Sequence, residues 1–141
     1  MSIIAILIAS ATYSWQNAQQ KGRDGKRKSD LKAAQQALET YFQTNGKYPP
    51  DNNKGKIKCE DGSVIDWGAT FSCAGTLYLR QLPKDPTNIT QAGIIPYYYD
   101  RDPTNNIIYI LSTKLENAND PEKQLNCNSS APNHNYCVKN P

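Results

Sequence analysis

The sequence predicts an α+β fold, a long N-terminal α-helix packed on a small antiparallel β-sheet. Three observations predict it. No strong helix breaker interrupts residues 2–45 before Gly46 and the pair Pro49–Pro50 close the run. Apolar residues recur at three- and four-residue spacing along the second half of that run, and short alternating stretches rich in Tyr and Ile come only after it. With 141 residues, 38% hydrophobic content and a mean hydropathy of −0.73, the chain suits one small domain plus an appendage. Much of its aliphatic content lies near the N-terminus, and a core this small usually needs help from cross-links or assembly.

The helix starts with "SIIAILIASATYSW", residues 2–15, which carries no charge. Ile3, Ile4, Ala5, Ile6, Leu7, Ile8, Ala9, Tyr13 and Trp15 make it apolar. A bilayer crossing takes about 20 apolar residues, so the run is too short to span alone and reads as the second half of a transmembrane helix. It lacks what a secretory signal is expected to carry: no basic residue precedes the run in this sequence and no small-residue cleavage site is obvious. Tyr13 and Trp15 stand where an aromatic belt meets headgroups. Lys21, Arg23, Lys26, Arg27 and Lys28 follow as a basic juxtamembrane segment placed to touch anionic lipid. Gly22 and Gly25 each cost about 1 kcal/mol relative to alanine in a helix, which predicts a weakened stretch at 22–25.

From Ser29 the helix becomes amphipathic. Leu31, Ala34, Leu38, Tyr41 and Phe42 form the core-facing stripe, while Lys32, Gln35, Gln36, Glu39, Thr40 and Gln43 cover the rest. "SVIDWGATFSC", residues 63–73, predicts a hairpin turning at Gly68. "PYYYD" and "IIYILST" predict two further strands joined by the turn segment "RDPTNN". Tyr97 and Tyr99 share one face, as do Ile107, Tyr109 and Leu111; Ile108 and Ile110 point the other way, toward a neighbouring subunit. The polar tail from Asn117 reads as a surface loop.

Cys59, Cys73, Cys127 and Cys137 allow three disulfide pairings, of which the local ones, Cys59–Cys73 and Cys127–Cys137, are favoured. Each would contribute roughly 2–3 kcal/mol. Paired cysteines imply an oxidising, extracytoplasmic compartment. The positive-inside rule, applied to the basic segment, points to the opposite side; the cysteines are given the greater weight.

"AILIASATYSWQNAQQKGRDGKRKSDLKAAQQALETYFQTNGKYP" resembles the N-terminal helix of type IV pilins and type II secretion pseudopilins, most closely over "RDGKRKSDLKAAQQALETYFQTNGKYP". "LRQLPKDP", residues 79–86, is similar to the family's "LP.DP" segment. "YYYD" at 97–100 and "IIYILSTKLEN" at 107–117 resemble its late strands and the loop after them. The resemblance covers most of residues 4–117 and implies a pilin-like division. Residues 1–28 would be a membrane or filament-core helix with its basic segment, and 29–141 the globular head. It implies a structural subunit, not an enzyme, that polymerises with copies of itself into a fimbrium-like or secretion filament at the cell surface or in the periplasm. Before assembly the subunit would be anchored in inner-membrane lipid and handled by the assembly machinery. The alternative is a membrane-anchored extracytoplasmic binding or adhesion module, or a competence pilin contacting DNA. The family's basic leader, Gly-Phe processing site and early glutamate do not occur in this sequence, so the resemblance implies that the true N-terminus lies upstream.

Other chemistry finds little support. Net charge is only +3, with much of the excess within 21–28, so no broad nucleic-acid surface is expected. No phosphate-cradling glycine loop and no CxxC spacing occur. His134 lies in a short Cys-bounded loop and reads as an exposed loop residue, not as the partner of a nucleophilic cysteine. No cofactor is expected. Calcium is the one ion with candidate ligands, at Asp100, Asp102, Asn105 and Asn106 or at Asn119, Asp120 and Glu122, without a spacing that assigns it. The sequons at Asn88 and Asn128 read as chance occurrences in an Asn-rich chain.

Overall fold

The computed structural model describes residues 2–87 and 96–141, and residues 2–14 only as helical backbone. The fold is α+β. Helix α1 runs Ser2–Asn45, 44 residues without a break, and is therefore about 66 Å long. Gly22 and Gly25 lie inside it, and the helix continues through both. It ends where the sequence changes its backbone preference: Gly46 has φ +68°, its N–H donates to Phe42 O at 2.7 Å, and Pro49 and Pro50 follow.

Leu31, Ala34, Leu38 and Tyr41 are buried as the spacing predicts, joined by Ala37, while Phe42 is half-buried against Tyr48 at a ring separation of 4.8 Å. This stripe faces three small antiparallel sheets instead of one. Strands β1 (Ile57–Lys58) and β2 (Val64–Ile65) pair, as do β3 (Phe71–Cys73) and β4 (Thr76–Leu79). The third sheet has the order β5 (Tyr97–Arg101), β6 (Tyr109–Thr113), β7 (Tyr136–Lys139).

Two sequence expectations need correction here. The hairpin within 63–73 does not form. Gly68 does sit in a turn, at φ +90°, but β2 pairs back to β1 across Asp61–Gly62, and β3 pairs forward to β4 across Ala74–Gly75. The Asp-Gly step is a strong hairpin signal, and it outcompetes Gly68. At the second turn Ala74 and Gly75 both have positive φ, the geometry of a two-residue primed turn, but alanine gives little sign of it in sequence. The polar tail is also more than a loop. Residues 136–139 add a third strand, with Cys137 opposite Ser112 and Val138 opposite Leu111.

The core is tyrosine-rich, and each buried phenol needs a hydrogen-bond partner. Tyr97, Tyr99 and Tyr109 are fully buried. Their hydroxyls donate to Asp30 Oδ2 at 2.7 Å, Pro49 O at 2.6 Å and Glu39 Oε1 at 2.9 Å. Glu39 also accepts from Tyr48 at 2.9 Å through both oxygens, so this residue of the supposed solvent face clasps helix to sheet. The face of β5 opposite the helix is covered in part by the chain's own loops. Tyr98 is buried there beneath Gly55 and beside His134. Gly55 has φ +75°, and a Cβ on it would fall 2.5 Å from the Tyr98 ring, so only glycine fits. Ile107, expected on the face of Tyr109 and Leu111, is exposed instead, because β6 starts only at Tyr109 and the strand alternation does not reach it; Ile108 is exposed as well.

Both disulfides have the local pairing: Cys59–Cys73 with Cα atoms 5.6 Å apart and Cys127–Cys137 at 5.9 Å. His134 is buried, not exposed. Its Nδ1 lies 2.9 Å from Ser112 Oγ, which also accepts from Asn128 Nδ2 at 3.0 Å. This polar group fastens the second cysteine loop over β6. It also puts the side chain of Asn128, one of the two sequons, out of solvent; Asn88 lies outside the described residues.

Candidate functional site: the helix stalk and its ion-paired neck

Among the described side chains of α1, which begin at Trp15, the first buried one is Asp24. From Trp15 to Arg23 no side chain is buried, and Trp15 is 68% exposed. The helical backbone from Ser2 to Arg23, about 33 Å of it, thus precedes Asp24, and none of its described side chains, 15–23, is buried. Ile3, Ile4, Ala5, Ile6, Leu7, Ile8, Ala9 and Tyr13 belong to this stalk; their side chains are outside the described residues. Among the described residues no helix is long and apolar enough to cross a membrane. This agrees with the run at 2–15 being too short to span alone.

The neck is where stalk becomes head, and there the basic segment does something the sequence did not reveal. Arg27 is buried, with 5% of its side chain exposed. Its Nε and Nη2 donate to the two oxygens of Asp85 at 2.7 and 3.2 Å, and Nη2 also reaches Thr87 Oγ1 at 3.2 Å. Its Nη1 donates to Asp24 Oδ1 at 2.9 Å and Glu116 Oε1 at 2.7 Å. The planar guanidinium fork suits this multiple engagement, where a lysine ammonium would not. Asp24, one helical turn before Arg27, uses both oxygens to accept the backbone N–H groups of Glu116 and Asn117 at 2.9 and 2.8 Å. One turn of helix therefore holds two distant loops, the one around Asp85 and the one after β6.

The other cations surround this hub. Arg23 Nε donates to Glu116 Oε1 at 2.9 Å. Lys26 pairs with Asp30 at 2.9 Å, the carboxylate that also takes the Tyr97 hydroxyl. Lys28 Nζ sits 2.8 Å from Asp120 and 2.6 Å from Glu122, 5.5 Å above the Tyr136 ring. Of the five predicted juxtamembrane cations, Lys21 alone has no ion pair among the described residues.

Electrostatics follow from this geometry. Burial opposes the charge on Arg27, but its hydrogen bonds to Asp85 and Glu116 outweigh that cost and raise its pKa further. Burial likewise pushes Asp85 up, and the Arg27 and Thr87 hydrogen bonds overcome it, leaving the carboxyl below its usual range. Hydrogen bonding to Arg23 holds Glu116 down, and hydrogen bonding to Lys28 does the same for Asp120.

Sequence reasoning picked out the cations and missed the carboxylates. Asp85 and Glu116 do lie in segments singled out by family resemblance, "LPKDP" and "STKLEN", but nothing in their spacing says that both reach Arg27. Of the calcium candidates, Asp102, Asp120 and Glu122 already have protein partners. Asp102 Oδ1 accepts three hydrogen bonds from Thr104 and Asn105, and Asp120 and Glu122 share the Lys28 ammonium. Among the described residues no three His, Cys, Asp or Glu side chains converge on a metal position. Compared with protein-family models, curated proteins and solved structures, the chain matches none.

Proposed function

We propose that this chain is a pilin-like structural subunit, one that polymerises through its N-terminal helix into a type IV pilus or a type II secretion-like filament. The observation that carries the reading is the division of one unbroken helix: among its described side chains the head encloses it only from Asp24 onward, and the preceding stretch at residues 2–15 bears no charge. An uncharged helix of that length is poorly placed in water, and lipid or copies of itself are the two environments that accept it. A head-to-tail contact between identical helices is heterologous and builds an open helical polymer. The internal pairing of Arg23, Lys26, Arg27 and Lys28 weighs against the DNA-contacting alternative, because it leaves little unmatched charge at the neck for phosphates. The two disulfides support an extracytoplasmic head.

The test is electron microscopy of filaments sheared from cells that express the chain, with mass spectrometry of the subunit. Filaments whose mass is mainly this chain support the reading. A full-length chain that stays monodisperse and monomeric without detergent removes it.

A further inference from the structure

On the head, where the end of α1 meets the first disulfide, a small cavity of about 130 Å³ is lined by Tyr41, Asn45, Glu60, Asp61, Tyr78 and the Cys59–Cys73 bridge. Tyr41 forms its floor and is 2% exposed. Unlike Tyr48, Tyr97, Tyr99 and Tyr109, it makes no hydrogen bond through its hydroxyl among the described residues, yet that oxygen is not among the sealed, unpaired polar atoms, of which Arg101 Nε is the one found. The hydroxyl oxygen is therefore not sealed, in a residue that lines the cavity. Burying a tyrosine ring without giving its hydroxyl a protein partner is unusual, and it leaves a polar group free for a ligand.

The rest of the lining defines what that ligand is. The Tyr78 ring lies 4.9 Å from the Tyr41 ring, centroid to centroid, so two electron-rich aromatic surfaces meet there. Asn45 spends its Nδ2 on Tyr41 O and the Tyr78 hydroxyl, which leaves its carbonyl oxygen as an acceptor. Among the described residues Asp61 is bound only by the Ser63 hydroxyl and N–H, neutral donors that hold its carboxylate charged and its pKa low. Glu60 is already matched by Lys47 at 2.9 Å, so the net charge at the rim is that of Asp61. Burial pushes the Tyr41 pKa up, Glu60, Tyr78 and Asp61 add to that, and the Arg101 cation opposes it.

We infer that this cavity is a binding site for a primary alkylammonium group, the chemistry of a lysine side chain or a small free amine. The three ammonium donors meet Tyr41 Oη, Asn45 Oδ1 and the acidic rim, and the aliphatic stem lies against the tyrosine rings and the disulfide. The inference does not depend on polymerisation; a monomeric head would carry the same site.

Nuclear magnetic resonance titration of the isotope-labelled full chain tests it, with three probes: n-butylamine, acetyl-Gly-Lys-Gly-amide, and the norleucine analogue of that peptide, which lacks the charge. The expected result is saturable shifts at the amides of Glu60, Asp61, Ala74 and Tyr78 with either amine, at a dissociation constant on the order of 1 mM, and none with norleucine. Equal binding of both amines identifies the ammonium group alone as sufficient; tighter binding of the peptide identifies a lysine of a polypeptide. Tyr41→Phe is the decisive variant, because the hydroxyl holds nothing in the fold. Its thermal midpoint should stay at the parent value while amine affinity falls about tenfold. Unchanged affinity in Tyr41→Phe, saturation by the norleucine peptide, or no saturable shift with either amine would each overturn the inference.

Discussion

Replacing Arg27 with methionine is the sharpest test of the neck. Methionine keeps helix propensity and much of the side-chain volume but removes every hydrogen bond to Asp24, Asp85, Glu116 and Thr87. Three carboxylates would then face Arg23 alone. Asp24 and Asp85, with 1% and 5% of their side chains exposed, would be left without that cation where water cannot replace it; Glu116, at 27%, recovers part of its solvation and is discounted. Removing one partner of a buried pair costs about 3–5 kcal/mol, against a total stability on the order of 5–15 kcal/mol. For a chain of this size the thermal midpoint should drop by roughly 10–20 °C. The assay is urea unfolding of the oxidised chain followed by circular dichroism, on Arg27→Met, Asp85→Asn and the pair together. The double variant should recover at least about 1.5 kcal/mol relative to the sum of the singles, since once Arg27 is gone an asparagine is better tolerated than a bare carboxylate. A loss under about 1 kcal/mol for Arg27→Met, the range of an exposed ion pair, would show that the hub does not lock helix to head.

Carboxylates around the neck also set the acid limit. Asp85, Glu116 and Asp120 have folded pKa values below the unfolded range near 4, so the stability they add is complete above about pH 5 and is lost as pH falls through their folded values. A thermal midpoint that stays flat from about pH 5 down to about pH 2 would contradict this. Tyr97, Tyr99 and Tyr109 act at the other end: burial raises each pKa, so stability should fall as pH rises above about 10, where the unfolded phenols ionise first. Tyrosinate absorbance should then appear together with loss of circular dichroism, and ionisation of these phenols in a chain that stays folded would count against their burial. Replacing Cys127 and Cys137 by serine opens a loop of sequence separation 10 and should cost about 2.7 kcal/mol. Hydrogen exchange should quicken first at the β6–β7 pairs; unchanged exchange there would mean that β7 is held without the bridge. Gly22→Ala and Gly25→Ala should each stabilise the helix by about 0.5–1 kcal/mol, because a Cβ at either position meets nothing within 4 Å. A drop in urea midpoint would argue against a continuous helix.

The parts of the fold that the sequence made legible are those governed by local periodicity and chain connectivity. The stripe from Leu31 to Phe42 follows from helix geometry alone, and the local disulfides follow from cysteine spacing. Tyr97, Tyr99, Tyr109 and Leu111 could be placed on one face because strand side chains alternate. What escaped were pairings between remote residues with two plausible partners. Gly68 and the Asp61–Gly62 step are both turn signals, and which one closes a hairpin depends on what β3 meets next, namely β4. Tyr136–Lys139 is a four-residue strand inside a polar tail, and it becomes a strand because β6 offers an open edge and Cys127 pins Cys137 beside it. His134 is buried for a related reason: Ser112 and Asn128 supply polar partners that composition cannot show.

The basic segment is the case with functional weight. Five cations within eight residues read naturally as a patch for lipid or nucleic acid, since like charges in sequence usually share a solvated face. A helix turns 100° per residue, however, so Arg23 and Arg27 share one face while Lys21 lies elsewhere. Asp85 and Glu116, 58 and 89 residues beyond Arg27, come to that face only through the folded head. Because Arg27 grips Asp85 through two donors and Asp24 grips two backbone amides, the neck fixes both the rotation of the helix and its position along its axis relative to the head. Neutral packing of Leu31 and Leu38 alone would tolerate a small rotation of the helix; the directed hydrogen bonds at the neck would not. In the proposed filament, each head would then sit at a defined angle to its stalk, and stacking identical stalks would place the heads at a constant rotation and rise. A loosened neck, as in Arg27→Met, should therefore give filaments of irregular helical symmetry even where the stalks still pack.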